Sequence, residues 1–420
     1  MEFGYPTFMQ RRMTITALAL ALATAGLTAP TTYAAVPAKE GRARQHWTEA
    51  DKAGFGTARE SQSRVWFTLQ GGRVSEVFYP DLSTPSVRNL ELIVSDGVHD
   101  DRQSKDMTTV VTRPDERSLR FTQVSTDNDG HYRVTEEVVT DPATNAVVVH
   151  IAFESLDGAS HALKVRHEPA LGNGAEGDRT QSSKHALKAV DRTAHVATTV
   201  LTSPGLTATK DRAGIQTGTI QPITSQPFTA TLSLGFGRTS SGSAKAARTA
   251  LAQPWATTAA AYDAGWHGYL DTLKPVPASA SAVQRQYLAS ALVLAAGEDK
   301  AHPGAFVASP SMPWVWGDEV KDLSSPSASY HEVWARDLYQ IGTALYAMGD
   351  VAAARRAVKW LFRTQQKKDG SFPQNSDGTA PRSGPRSSST RSHCRSRWRT
   401  WWARPTSAPT RGSRRPCASS

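Results

Sequence analysis

From about Trp47 to Ser240 the apolar residues come in short runs rich in valine, threonine and aromatics, broken roughly every 8 to 12 residues by Gly, Asp, Asn or Pro. This rhythm predicts antiparallel strands. Arg64–Gln70 and Arg73–Tyr79 flank Gly71 and Gly72, a two-residue turn that tight hairpins favour because both central positions need positive φ. Similar runs at Ala146–Phe153 and Phe228–Phe236 extend the pattern into a large sandwich. The period then changes. Ala244–Leu273 is alanine-rich and helical apart from Pro254, and Pro275 with Pro277 closes the segment. Three further helical stretches are predicted: Ala282–Ala296, Val333–Met348 and Asp350–Gln365. In the second, Trp334, Leu338, Ile341, Leu345 and Met348 recur in steps of four and three, which gives one buried stripe. The third starts at a plausible N-cap, Asp350, and stops at Lys367, Lys368 and Gly370.

Charge adds a discontinuity. The 420 residues carry a formal net charge of +10. Arg382, Arg386, Arg391, Arg395, Arg397, Arg399, Arg404, Arg411, Arg414 and Arg415 account for all of it, because residues 381 to 420 hold no lysine and no acid. The remaining chain is neutral, which excludes a basic nucleic-acid-binding domain. The two cysteines, Cys394 and Cys417, lie in the same tail, so residues 1 to 380 offer no disulfide, thiol chemistry or cysteine metal site. At the other end, Arg11 and Arg12 precede an apolar run from Ile15 to Leu27 and a small-residue exit at Ala34 and Ala35. That run is shorter than the roughly 20 residues a bilayer span requires, and it reads as a secretory signal. The expected product is therefore secreted, with the paired arginines allowing a twin-arginine route.

The tail lacks helical or strand periodicity. Back-translated with GC-rich codons, Arg386–Ser396 yields Gln-Leu-Val-Asp-Glu-Val-Ala-Leu-Pro-Leu one frame over. That is ordinary globular sequence. We therefore expect residues 380–420 to be an out-of-frame, disordered tail rather than a polyanion-binding arm.

Two motifs fail on context. Gly172-Asn173-Gly174-Ala175-Glu176-Gly177 has dinucleotide-loop spacing, yet it sits among strands, no helix pattern follows, and Glu176 would repel phosphate. No Gly-x-Ser-x-Gly elbow supports a serine hydrolase. The informative stretch is Phe306–Gly378. It contains Ser309-Pro310-Ser311-Met312-Pro313-Trp314-Val315-Trp316-Gly317, Tyr330-His331-Glu332-Val333-Trp334-Ala335-Arg336-Asp337 and Lys368-Asp369-Gly370-Ser371-Phe372-Pro373-Gln374-Asn375. Aromatic faces stack on the apolar face of a pyranose, and an adjacent Arg and Asp hydrogen-bond neighbouring hydroxyls. The competing reading makes Trp334 a core residue of its stripe, and Arg336 with Asp337 a simple ion pair at a helix start.

These motifs, together with Val65–Leu69, Phe78–Ser86 and Pro169–Asn173, resemble bacterial glucoamylases and glucodextranases of glycoside hydrolase family 15. The resemblance covers about four-fifths of the chain, from Trp47 to Gly378. It implies a large antiparallel β-sandwich followed by an (α/α)6 barrel, here incomplete. The implied activity is exo-hydrolysis of α-glucans, glucose leaving non-reducing ends with inversion. By resemblance, Arg336 and Asp337 hold the terminal glucose. Trp334, Tyr330 and Trp316 are implied as pocket walls, and Gln374 and Asn375 as weaker contacts. The expected partner is an α-glucan polysaccharide or oligosaccharide, with no nucleic acid, no membrane after signal cleavage, and a monomeric chain.

The expected organisation is a signal peptide at 1–35, the sandwich at 36–243, a helical linker at 244–277, the start of the barrel at 278–379 and the tail at 380–420. Three of the barrel's roughly twelve helices are visible in this pattern. Inverting glycosidases use one carboxylic acid and one carboxylate, about 6.5 to 9.5 Å apart. The resemblance puts both glutamates beyond the point where the chain turns to arginine and serine, so no catalytic residue is assigned and this chain is expected to be inactive. Asp318, Glu319 and Glu332 lie nearby, but nothing in the sequence gives any two of them the contrasting environments that an acid and a base require. No cofactor is implied. A structural calcium ion is suggested by analogy alone, without a ligand-spaced acidic loop. The alternative is a non-catalytic secreted sandwich, residues 36 to 273, that binds polysaccharide. Specificity among α-1,4, α-1,6 and trehalose linkages is left open.

Overall fold

In a computed structural model, the described residues are 36–37, 52–173, 177–209, 211, 214–310 and 331–378. Residues 1–35, where a signal segment is expected, the arginine-rich tail, Gly174, Ala175, Glu176, Trp316, Asp318, Glu319 and Tyr330 lie outside them.

The alternating pattern becomes two antiparallel sheets. One has nine strands in the spatial order Val36–Pro37, Arg179–Ser183, Ala186–Asp191, Val196–Ser203, Phe228–Gly237, Ala146–Ser155, Tyr132–Thr140, Phe121–Asp127 and Met107–Thr112. The other runs Thr207–Ala208, Gln216–Thr224, His161–Pro169, Pro85–Ser95, Arg73–Phe78, Trp66–Gln70 and Gly54–Gly56, with Asp100–Arg102 paired to Pro85–Ser95. Phe121–Asp127 buries every second residue, as a strand with one face inward must. Pro85–Ser95 is buried throughout, so its polar members Arg88, Asn89 and Glu91 require internal partners. The expected hairpin forms with Gln70 opposite Arg73, and Gly71 and Gly72 both take positive φ, at 54° and 73°. Between the sheets Phe67 meets Phe121 edge to face and Tyr79 meets Phe236, whereas Trp66 and Phe78, paired on the opposite face of their strands, turn toward Ala296 and His331 of the helical segment.

Two helices follow the last strand: α1, Ser240–Leu251, and α2, Trp255–Asp271. Pro254 separates them, as its missing N–H and fixed φ lead one to expect. The segment expected as a linker is in fact packed on the sandwich. A Cβ on Gly235 would stand 2.4 Å from the Ala247 nitrogen, so the bare backbone of the strand lets α1 lie directly against it. Tyr262 and Trp266 of α2 donate to the carbonyl oxygens of Leu119 and Thr57, at 3.1 and 2.9 Å.

Beyond Pro277 a 3₁₀ stretch, Ala278–Val283, leads into α3, Gln284–Ala296. A two-stranded ladder then pairs Val333–Trp334 with Asn375–Ser376. Between these strands run α4, Ala335–Met348, and α5, Val351–Trp360, which continues as the π-helical turn Leu361–Gln365. Two details differ from the expected helices. Val333 and Trp334 are strand rather than helix, because their backbone is tied to Ser376 and Asn375. The third helix leaves α geometry at Leu361. Its start is as expected: Asp350 accepts from the Ala353 N–H at 2.9 Å, while Gly349, at φ 103°, closes α4 in the left-handed conformation.

Candidate functional site

The site grows from the ladder and the first turn of α4. Direct pairing places Trp334 opposite Asn375, and their side chains share a ladder face. Trp334 is only 9% exposed, so it packs inside rather than standing as an open stacking platform. The next turn carries the charged pair. Arg336 Nε and Nη2 donate to Asp337 Oδ2 at 3.2 and 3.1 Å, with side chains 64% and 25% exposed. At such exposure an ion pair adds little stability, which leaves both groups available for hydroxyls. Asp337 also sits where the amide dipoles of α4 favour a negative charge.

Asp337 lines a cleft of about 320 Å3. Gln340, Ile341 and Ala344 form its α4 wall, with Val293 and Leu294 of α3 and Phe55 of the sandwich around it. The stripe expected for α4 turns inward, since Leu338, Leu345 and Met348 are buried, and this leaves Asp337 and Gln340 at the cleft edge. Thus the fold brings together Trp334 with Asn375, and Arg336 with Asp337. Gln374 is exposed one position before the ladder and does not line the cleft. Tyr330 and Trp316 lie outside the described residues. Glu332 is buried at 2% exposure and, like Asn375, is absent from the cleft lining.

A residue that the sequence pattern does not mark holds the ladder. Gln365 Nε2 donates to the Val333 carbonyl at 2.9 Å and to Ser376 Oγ at 3.1 Å. Its polarity gives no hint of burial, yet it follows the buried Ala357 and Leu361 in steps of four and so continues the inward stripe of α5 through the π turn.

The surrounding frame joins the sandwich to the helices. Arg356 of α5 grips Glu298 with two bonds of 2.7 Å, and Asp299 Oδ2 accepts from the Leu82 N–H at 3.2 Å. Burial and the neighbouring Asp299 carboxylate push the Asp81 carboxyl above its usual range. A hydrogen bond to Asp299 holds the His302 imidazole above its own.

Comparison with known proteins places this geometry. Glucodextranase, domain N, matches residues 38–215 and 205–271, and Glycosyl hydrolases family 15 matches residues 282–392. The chain belongs to glycosyl hydrolases family 15. The family 15 segment contains α3, the cleft-lining residues of α4, the ladder and Gln365, whereas the domain N segment takes in the sheets, α1 and α2. A glucoamylase from Clostridium sp. (strain G0005) is 31% identical over 364 residues, covering 79% of this chain and 50% of its own length. The crystal structure of a bacterial glucoamylase complexed with acarbose superposes with a TM-score of 0.72 at 27% identity, covering 85% of this chain and 57% of the other. The family 15 chain thus pairs a glucoamylase-like β-sandwich with part of a helical barrel. It spans about half the length of the curated relative it matches.

Proposed function

We propose that this chain is built for α-glucan recognition of the glucoamylase or glucodextranase kind, an exo-hydrolysis that releases glucose from non-reducing ends with inversion. The observation that supports it is the half-exposed Arg336–Asp337 pair in the first turn of α4, with Asp337 on the edge of a cleft. A fixed carboxylate beside a guanidinium offers acceptors and donors to two adjacent sugar hydroxyls, and the neighbouring apolar wall suits the ring's CH face. In the same reading the N-terminal segment exports the chain, which acts as a monomer on a polysaccharide or oligosaccharide.

Cleavage by the 420-residue chain itself is not part of the proposal. Inversion uses two carboxyl groups with separate roles, and among the described residues Asp337 is the one carboxylate lining the cleft. Residues 381 to 420 contribute no acid. We therefore read the chain as a binder that does not hydrolyse.

The test is affinity electrophoresis through soluble starch and dextran, together with a glucose assay after incubation with maltoheptaose. Retention without glucose release is expected, and Asp337→Asn should abolish the retention. Glucose release by the unaltered chain overturns the inactivity. Retention that survives Asp337→Asn and also appears in a fragment of residues 36 to 273 moves recognition to the sandwich. Loss of all retention removes the glucan reading.

A further inference from the structure

Gln365 is fully buried, at 0% exposure, and closes the π turn that ends α5. Its two hydrogen bonds reach different strands. Val333 and Ser376, which accept them, stand directly opposite one another in the ladder. One side-chain amide therefore ties the two strands at the pair adjacent to Trp334 and Asn375. Successive strand residues face opposite ways, so Gln365 braces the face turned away from Trp334 and Asn375. It contacts the frame of the sugar motif and none of the groups assigned to the sugar. The Val333 carbonyl that it holds lies only a few bonds from the start of α4, where Arg336 and Asp337 follow.

We propose that Gln365 is a positioning residue for sugar recognition. Its amide sets the register of the ladder and thereby the placement of Arg336 and Asp337 at the cleft. This rests on the reading that those two residues hold an α-glucan. The donor chemistry is specific. Ser376 can turn its hydroxyl to donate, but the Val333 carbonyl can only accept, so the side chain at 365 must bring a proton to it. A carboxylate at that position would face the carbonyl with no proton to share. A carboxylic acid would restore the bond.

The experiment measures maltoheptaose binding by titration calorimetry on the full chain, for the unaltered protein, Gln365→Glu, Gln365→Met and Asp337→Asn, each at pH 8 and pH 5. Melting curves accompany each titration. At pH 8 both Gln365 variants should bind about tenfold more weakly. At pH 5 Gln365→Glu should return to within about threefold of the unaltered chain, because its buried carboxyl is protonated, whereas Gln365→Met should not. Asp337→Asn should stay weak at both pH values. A loss that follows melting temperature alone and ignores pH overturns the positioning role. So does undiminished binding by Gln365→Glu at pH 8. If Asp337→Asn binds normally, or if the unaltered chain does not bind, the glucan reading itself has failed and Gln365 has no sugar to position. Should the Gln365 variants not fold, Ser376→Ala removes one acceptor without stranding a donor-starved carbonyl. It should weaken binding about threefold, and unchanged binding would overturn the proposal.

Discussion

Trp66 and Ala296 are separated by 230 positions in the chain, yet the Trp66 indole N–H donates to the Ala296 carbonyl at 3.0 Å. The bond joins a core strand of the sandwich to the C-terminal end of α3, where helix carbonyls lack intrahelical partners. Lys300 strengthens the same junction. Its ammonium donates to Thr57 Oγ1, the Ala58 carbonyl and the Ser63 carbonyl at 2.7, 2.5 and 2.6 Å, and lies 5.1 Å from the Trp66 ring centroid. All three ammonium protons are used. We expect Lys300→Met to cost about 2 to 4 kcal/mol, since it strands several acceptors at once, and Trp66→Phe about 1 to 3 kcal/mol. Urea unfolding followed by circular dichroism measures both. Changes within 0.5 kcal/mol (roughly the noise of surface substitutions) would mean that the junction contributes nothing.

Gly235 governs the seating of α1. An added Cβ would lie 2.4 Å from the Ala247 nitrogen, 2.5 Å from the Ser243 carbonyl oxygen and 2.8 Å from the Ala247 Cβ. Two of those atoms are helix backbone, which cannot swing aside as a side chain would. Gly235→Ala should therefore push α1 off the sheet and cost about 2 kcal/mol or more, against the small gain a strand alanine normally brings. Gly268→Ala is the control, because nothing lies within 4 Å of its added Cβ and it replaces a glycine inside α2. It should stabilise by up to about 1 kcal/mol. Thermal melts of the two variants that move in the same direction would refute the packing argument.

The contrast between these glycines bears on what could be read from the chain beforehand. Alternation and turn chemistry were enough for the hairpin at Gly71 and Gly72, for the strands around Ala146 and Phe228, and for the break at Pro254, because each depends on local period or on backbone φ. The stripe on α4 was legible for the same reason. The docking of α1 on Gly235, the strand character of Val333 and Trp334, and the bonds of Gln365 to the ladder were not, since each depends on a tertiary partner outside its own element. Within the candidate site, Arg336 and Asp337 could be found as a motif. The ladder behind them could not, because Asn375 and Ser376 show no strand pattern of their own and pair only once α4 and α5 have turned the chain back.

Glu136 predicts an unusual pH trend. It is 4% exposed, accepts from Gln103 Nε2 at 2.7 Å, and burial pushes its carboxyl up to about 7 from 4.5. Between those two values the folded chain holds a proton that the unfolded chain has released. Stability from this group is therefore complete below about 4.5 and falls as pH rises through 7. A glutamine in place of the acid would keep an acceptor for Gln103 and remove the titration. We expect Glu136→Gln to gain about 1 to 3 kcal/mol over the unaltered chain at pH 8 and almost nothing at pH 4.5. Urea midpoints at the two pH values give the answer, and an equal shift at both would assign the effect to packing instead.

Glu168 runs the other way on the neighbouring sheet. Burial alone would raise its carboxyl, but Arg166 and Arg88 outweigh it and hold the group down to about 2 from 4.5. Arg166 Nε donates to Oε1 at 2.7 Å, Asn89 Nδ2 to the same oxygen at 3.3 Å, and Arg88 Nη2 to Oε2 at 3.4 Å. Here the unfolded chain takes up the proton first. The stabilisation is present above about 4.5 and is lost as pH falls toward 2, and the displacement corresponds to about 3 kcal/mol at most. Removing the acid exposes the cost of the arrangement. Arg88 is itself buried, with its guanidinium pKa lowered mainly by burial, so Glu168→Gln leaves a buried cation with one neutral partner in place of a carboxylate. The variant should lose about 3 kcal/mol at pH 7, while the difference from the unaltered chain should shrink steadily below pH 4. Paired urea titrations at pH 7, 4 and 3 measure that convergence. Curves that stay parallel down to pH 3 would show that the carboxylate charge is not what holds Arg88 and Arg166 in place.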